Sequence, residues 1–177
     1  KPSETNFDSY LSSAFSKTFT VESFETPWKF SDLADWITLT PSSGNASASV
    51  TLQAQENKSA DNARTAIFYL QSNDPGWSYN RAMSVSQAKA TPVLSVDVTS
   101  LTFGGNASQQ TVNVTSNCTW TASCSDSWVT LSSDVASGKL NISVSANPQN
   151  AYRSSTVYIS YGRGKSTSIR LSQSPAN

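Results

Sequence analysis

What most restricts the fold of this chain is a frame of residues that occurs twice. Trp28 is followed by Trp36 and then by Ile37-Thr38-Leu39, and Trp120 is followed at the same spacing by Trp128 and then by Val129-Thr130-Leu131. The downstream landmarks repeat as well: Arg64 has its counterpart in Arg153, and Ser86-Gln87 in Ser172-Gln173. The offset of about 90 residues leaves each copy long enough for a small core of its own, so two domains are expected, residues 1–90 and 91–177.

The segments between these landmarks alternate apolar and polar residues, the pattern of half-buried strands. Phe19 and Val21 in the first copy match Val112 and Val114 in the second. Val50, Leu52 and Ala54 match Leu140, Ile142, Val144 and Ala146; Phe68 and Leu70 match Val157 and Ile159; Met83 and Val85 match Ile169 and Leu171. Turn residues such as Pro41 to Gly44 and Ala136 to Gly138 separate them. The first fifteen or so residues carry no clean period and read as an irregular lead-in or a degenerate first strand. About seven short strands per copy and no helical period predict an all-β chain of two tandem immunoglobulin-like β-sandwiches. The link from Ala88 to Pro92 is short and holds one proline, which predicts limited freedom between the copies.

One detail resists a regular strand: Trp36 and Thr38 should face opposite to Ile37 and Leu39. Either a bulge follows the tryptophan, or the ring covers an open edge while the aliphatic residues point inward. Because Trp28, Trp36, Trp120 and Trp128 all recur within the folding frame, they are expected to be core residues.

Composition excludes several functions. Charged residues make up 14% of the chain, twelve basic against twelve acidic, so no basic field exists to draw in nucleic acid or an anionic membrane. Polarity comes instead from 35 serines and 18 threonines, which suits solvent-facing strand positions in an extracytoplasmic protein. No apolar run is long enough for a membrane-spanning segment, and a signal or lipoprotein peptide is expected to have been removed ahead of Lys1. The chain is expected to be a monomer.

With no histidine, neither a Ser-His-Asp nor a Cys-His arrangement can form, so no enzyme activity, cofactor or metal is predicted. Asp32, Asp35, Asp126 and Asp134 are the nearest approach to a carboxylate cluster, and their place in turns points to backbone hydrogen bonding. Cys118 and Cys124, the two cysteines, flank Trp120. They could form a disulfide in an oxidising compartment, but a straight strand would hold them about 20 Å apart, so bonding requires a sharp bend between them. The alternative is two small buried hydrophobes.

The copies differ most in the loop between their last two strands. In the second it is the short run Tyr161 to Lys165; in the first it runs from Gln71 to Arg81 and adds Trp77 and Tyr79. Aromatic rings stack on the C–H faces of sugars while polar neighbours bind the hydroxyls. Trp77 and Tyr79, with Asn73, Asp74 and Arg81 beside them, are therefore the candidate ligand-binding residues. The alternative is a loop folded back on its own sheet or on the other domain.

The pattern of Trp28, then Trp36-Ile37-Thr38-Leu39, Pro41 to Gly44, an alternating strand, Arg64 and a closing Ser86-Gln87 resembles the BACON family, the Bacteroidetes-associated carbohydrate-binding often N-terminal domain. The resemblance runs from Phe19 to Gln87 and again from Val93 to Gln173; the second copy departs in having Leu131 to Val135 where the first has its Pro-Ser-Ser-Gly turn. It implies an immunoglobulin-like module on envelope or secreted proteins of gut bacteria, beside glycan-degrading or adhesion domains, and it assigns no binding residues. Two functions follow as expectations: a non-catalytic module that binds a glycan or mucin-like sugar, or a structural spacer or protein-interaction and adhesion module that displays other domains, with a surface protein as its partner.

Overall fold

The computed structural model describes every residue except Tyr10, Trp77, Arg163, Ala176 and Asn177. Among the described residues there are strands and no helix, and the chain divides into two compact units, one ending at Thr91 and the other beginning at Pro92. Unit 1 contains β1 (Asn6–Ser9), β2 (Phe15–Val21), β3 (Trp28–Ser31), β4 (Ile37–Thr40), β5 (Ser43–Gly44), β6 (Ala48–Ala54), β7 (Arg64–Ser72) and β8 (Asn80–Gln87). Unit 2 contains β9 (Leu94–Val96), β10 (Ser100–Phe103), β11 (Ser108–Ser116), β12 (Thr121–Ser123), β13 (Val129–Asp134), β14 (Lys139–Val144), β15 (Arg153–Tyr161) and β16 (Lys165–Gln173).

Each unit is two sheets closed over one core. In unit 1 the sheets run β1-β8-β7-β3-β5 and β2-β6-β4; in unit 2 they run β10-β16-β15-β12 and β13-β14-β11-β9. The leading segment of each unit changes sheets. Pro2 bridges antiparallel to Val21 before β1 pairs parallel with β8, and β9 pairs antiparallel with β11 before β10 pairs parallel with β16. Both units are immunoglobulin-like β-sandwiches.

The alternating residues face inward as their period dictates, and Val50, Leu52, Phe68, Leu70 and Val85 are at most 1% exposed. β14 ends at Val144, leaving Ala146 exposed. The lead-in of unit 1 contributes a true strand: Phe7 is fully buried, its ring 5.1 Å from that of Phe19. Phe30 continues the aromatic cluster toward Phe68 and Trp28, at 6.0 and 5.6 Å. With one buried residue in a four-residue strand, β1 is too short to show a period.

The paired tryptophans divide into two kinds. Trp28 and Trp120, 4% and 2% exposed, are core residues. Trp36 and Trp128 are half-buried and pack on the core from outside, which corrects the expectation that all four lie within it. The parity difficulty dissolves because Trp36 precedes β4 in a turn, where the Ile37 amide donates to the Ala34 carbonyl at 3.0 Å. Val129 does the same to Asp126 at 3.1 Å. Each outer tryptophan lies under an arginine: the guanidinium carbon of Arg64 is 4.1 Å from the ring centre of Trp36, and that of Arg153 is 4.2 Å from Trp128.

These arginines anchor a latch built twice. Arg64 donates from Nε and Nη2 to Gln87 Oε1 at 2.9 and 2.7 Å, and from Nη2 to the Gln55 carbonyl at 2.6 Å. Gln87, 1% exposed, donates from Nε2 to the carbonyls of Ser13 and Gln55 at 2.8 and 2.9 Å. In unit 2, Arg153 Nε donates to Gln173 Oε1 at 2.8 Å, and Gln173 Nε2 donates to the Gly104 and Ser145 carbonyls at 3.1 and 3.0 Å. A buried asparagine closes each latch: Asn57 donates to the Asn62 and Ala88 carbonyls, and Asn147 to those of Ala151 and Ser174. Burial pushes the Arg64 guanidinium below its ordinary value, and the Asp35 carboxylate opposes that shift.

Gln87→Met keeps the volume but leaves the guanidinium and the carbonyls of Ser13 and Gln55 short of a partner. A loss of about 2–4 kcal/mol from unit 1 is expected, the scale for breaking a buried charge-assisted network. Urea unfolding followed by tryptophan fluorescence measures it, and an unchanged midpoint would show that the latch is not stabilising. Gly138, at φ +66°, sits where an added Cβ would lie 2.5 Å from the Val114 carbonyl oxygen, so Gly138→Ala is expected to destabilise unit 2 by ~1–3 kcal/mol in the same assay.

Candidate functional site

The latch occupies one end of unit 1, where β7 begins and β8 ends. At the opposite end two loops meet, residues 22–27 between β2 and β3 and residues 73–79 between β7 and β8. The Asn73 amide donates to the Pro27 carbonyl at 2.7 Å, tying one loop to the other. The longer loop closes on itself: Ser72 N–H donates to the Tyr79 carbonyl at 2.9 Å, and Tyr79 N–H donates to Ser72 Oγ at 3.1 Å.

The shorter loop is also held by its own hydrogen bonds. Ser23 N–H donates to Ser47 Oγ at 2.9 Å, Ser23 Oγ to the Thr26 carbonyl at 2.6 Å, and Thr26 Oγ1 to the Phe24 carbonyl at 3.2 Å. Glu25 lies in the left-handed region at φ 55°, an uncommon state for a residue with a side chain. The outcome is that Phe24 is 96% exposed. Leaving a phenyl ring in water forgoes about 1.5–3 kcal/mol of burial, and no packing in the described structure compensates.

Phe24 and Tyr79 both line a groove of about 550 Å³, together with Val21, Pro27, Trp28 and Leu70. Tyr79 is half-buried and packs on the core, and its other side borders a second hollow of about 390 Å³ lined by Lys29, Gln71, Asp74, Ser78 and Asn80. Tyr79 is thus a ridge between an apolar groove and a polar hollow, an arrangement suited to a ligand with apolar faces and hydroxyl edges.

The structure distributes the sequence-based candidates unevenly. Trp77 lies outside the described residues. Tyr79 and Asp74 both line the polar hollow, but Asp74 Oδ1 accepts the Gly76 amide at 2.7 Å, so this carboxylate shapes its own loop. Asn73 is exposed and joins through its backbone, and Arg81 is exposed opposite Leu70 and lines neither space. Phe24 was missed by sequence reasoning. The available signal was a lone aromatic in the polar run Ser23 to Thr26, which the second copy replaces by Ser116-Asn117-Cys118.

The cysteines are free thiols, and no disulfide joins them. β12 runs between them and sends each to different partners: Cys118 Sγ meets Ser116 Oγ at 3.1 Å, and Cys124 Sγ meets Ser155 Oγ at 3.1 Å. The sharp bend that a bond would need is replaced by extended backbone. The aspartates of the notional cluster are divided between the units. Asp134 Oδ1 accepts the Ser137 amide, and hydrogen bonds from Ser137 hold its carboxyl below the usual range. Among the described residues no three Cys, Asp or Glu side chains group as metal ligands, and no helix is long and apolar enough to cross a membrane.

Two tandem immunoglobulin-like sandwiches with one unequal loop end define a modular, all-β class of protein. A family model, BACON, described as "Putative binding domain, N-terminal", matches residues 26–88 and 119–174, more than half of the chain. The chain belongs to the BACON family. No curated protein matches it in sequence. Among solved structures, a Bacteroides ovatus GH5 xyloglucanase in complex with a XXXG heptasaccharide is 27% identical over 49% of this chain and 19% of its own, with a TM-score of 0.42. The I67–I69 fragment of titin is 9% identical over 98% of this chain and 63% of its own, at 0.43. The Yersinia pseudotuberculosis adhesin InvE is 15% identical over 97% and 57%, at 0.42. The chain spans between 19% and 34% of the length of the first four such structures.

Asp74→Ala removes the acceptor of the Gly76 amide. Hydrogen exchange at that amide is expected to speed up at least ten-fold while the β7 and β8 amides keep their protection, and equal protection in the variant would show that the turn holds without the carboxylate.

Proposed function

We propose that this chain is a non-catalytic carbohydrate-binding module that works outside the cytoplasm, at the cell surface or as part of a secreted protein. The observation that carries the reading is the groove of about 550 Å³ lined by Phe24, 96% exposed, and Tyr79. Membership of a family described as a binding domain agrees with it. The saccharide stacks a ring face on Phe24 and directs hydroxyls across the Tyr79 ridge toward Asn80, Gln71 and Lys29. The loop hydrogen bonds hold the backbone that carries Phe24, so little ordering of the loop remains to be done on binding.

A spacer role draws on a different observation. Tyr79 packs on the core and Asp74 is engaged by its own loop, so part of the loop serves the fold. Phe24 separates the two readings because it contributes nothing visible to packing.

Phe24→Ala is expected to weaken binding of neutral gluco-, xylo- or mucin-type oligosaccharides by about 1–2 kcal/mol while leaving the melting temperature within a degree or two. Isothermal calorimetry and a melting curve on the same variant provide both readings. Loss of stability with no saccharide bound by the native chain would favour the spacer.

A further inference from the structure

Because the chain carries two copies of one fold, each copy shows which residues the frame requires in the other. The strongest mismatch in unit 2 lies along β15, beside the turn that follows β12, where Ser155 takes an inward position and Thr156 and Tyr158 take outward ones. The pairing of Ser155 with Leu171 and of Thr156 with Arg170 corresponds to that of Ala66 with Val85 and of Ile67 with Ser84 in unit 1. The turns correspond through their matching hydrogen bonds, which set Asp126 where unit 1 has Ala34. Unit 1 fills this region with Leu33, Ala34 and Ala66, all packed against its core. Unit 2 builds Ser125, Asp126 and Ser155 there, and a cleft of about 570 Å³ opens between them and Thr156, Tyr158 and Arg170. The frame does not need these polar groups, since the other copy folds with Leu33, Ala34 and Ala66 in their place.

The cleft is organised. Ser155, 9% exposed, donates from Oγ to Asp126 Oδ2 at 2.5 Å, and the same oxygen meets Cys124 Sγ at 3.1 Å. That bond fixes the carboxylate, and among the described residues Oδ1 takes no hydrogen bond. Tyr158 is 58% exposed. Among the described residues, the Arg170 guanidinium makes no hydrogen bond or ion pair. An exposed aromatic ring, an oriented carboxylate and an unengaged guanidinium around a cleft of this size fall within the range of small-ligand sites, about 300–1,000 Å³.

We infer that this cleft in unit 2 is a second saccharide site, separate in composition from the groove of unit 1, and that the chain binds glycan at two places. Its ligand is a neutral pyranose with adjacent hydroxyls. Tyr158 takes the C–H face of the ring. The carboxylate of Asp126 accepts from a hydroxyl pair, and Arg170 donates in the fork geometry that suits two neighbouring oxygens. The Asp126 and Arg170 charges cancel within the cleft, so no net charge draws in a uronic acid or sulfated sugar, and a neutral sugar gives both groups a hydrogen-bond partner. The inference rests on the reading of the chain as a glycan-binding module but not on the groove beside Phe24.

The test is an NMR titration of the full isotope-labelled chain with cellohexaose, xylohexaose, mannohexaose and galactohexaose, following amides around Ser125–Asp126 and Thr156–Tyr158 separately from those around Phe24 and Tyr79. At least one saccharide is expected to shift the unit 2 amides. Tyr158→Ala and Arg170→Gln should each weaken that event at least ten-fold and leave any Phe24 event unchanged. Asp126→Asn gives a third variant that keeps the shape, and a melting curve confirms that each variant is folded. Shifts confined to the Phe24 groove overturn the second site and leave the glycan reading standing. Shifts confined to unit 2 support the second site and remove the first. No shift in either unit overturns both, and unit 2 shifts that survive all three substitutions overturn the assignment of these residues.

Discussion

Each sandwich depends on a buried glutamine that satisfies an arginine on one side and backbone carbonyls on the other. The carbonyls that accept from Gln87 and Gln173 belong to segments where the chain leaves one strand for another, Ser13 ahead of β2 and Gly104 after β10 among them. Such segments cannot be satisfied by ladder partners, and a buried unpaired carbonyl is costly. A side-chain amide both donates and accepts, so it can pair with a guanidinium and a carbonyl at once. The arginine lies over the outer tryptophan, whose ring packs on the core from outside and supports the guanidinium, which explains why the ring is half-buried and why it recurs in both copies.

That arrangement has a consequence for function in unit 1. The latch gathers the demands that the two copies share at one end of the sandwich, where β7 begins and β8 ends. The other end, formed by residues 22–27 and 73–79, carries no shared requirement beyond closing the strands. It is there that Phe24 stands exposed and the longer loop raises Tyr79 between two hollows. Rigid strands hold the loops, and the loops carry the variation, as is usual for immunoglobulin-like modules.

The two copies also show how loosely core chemistry is tied to topology. Unit 1 fills its centre with Phe7, Phe19, Phe30 and Phe68, whereas unit 2 uses Val112, Leu140, Ile142, Val157 and Ile169 around Trp120. Either set can fill a sandwich if volume and inward alternation are kept. The polar latch tolerates no such exchange, because hydrogen bonds require particular donors and acceptors at particular places. This contrast accounts for the sequence repeat being sharpest at Trp, Arg and Gln and faint among the aliphatic residues.

The duplication, the all-β class and the inward residues of the longer strands were legible from sequence alone, because alternation is a local property that burial of one face imposes. The recurrence of Arg64 with Arg153 and of Gln87 with Gln173 was equally visible, but its meaning was not, since the partners are 23 and 20 residues apart. Only the tertiary structure decided that Trp36 and Trp128 lie outside the core beneath arginines, that β1 is a strand with Phe7 buried, and that Cys118 and Cys124 remain apart. It alone brought Phe24 and Tyr79 to one groove and set Asp126 beside Ser155. Each of these depends on which segments of chain the sandwich brings side by side, and sequence period carries no record of contacts made across two sheets.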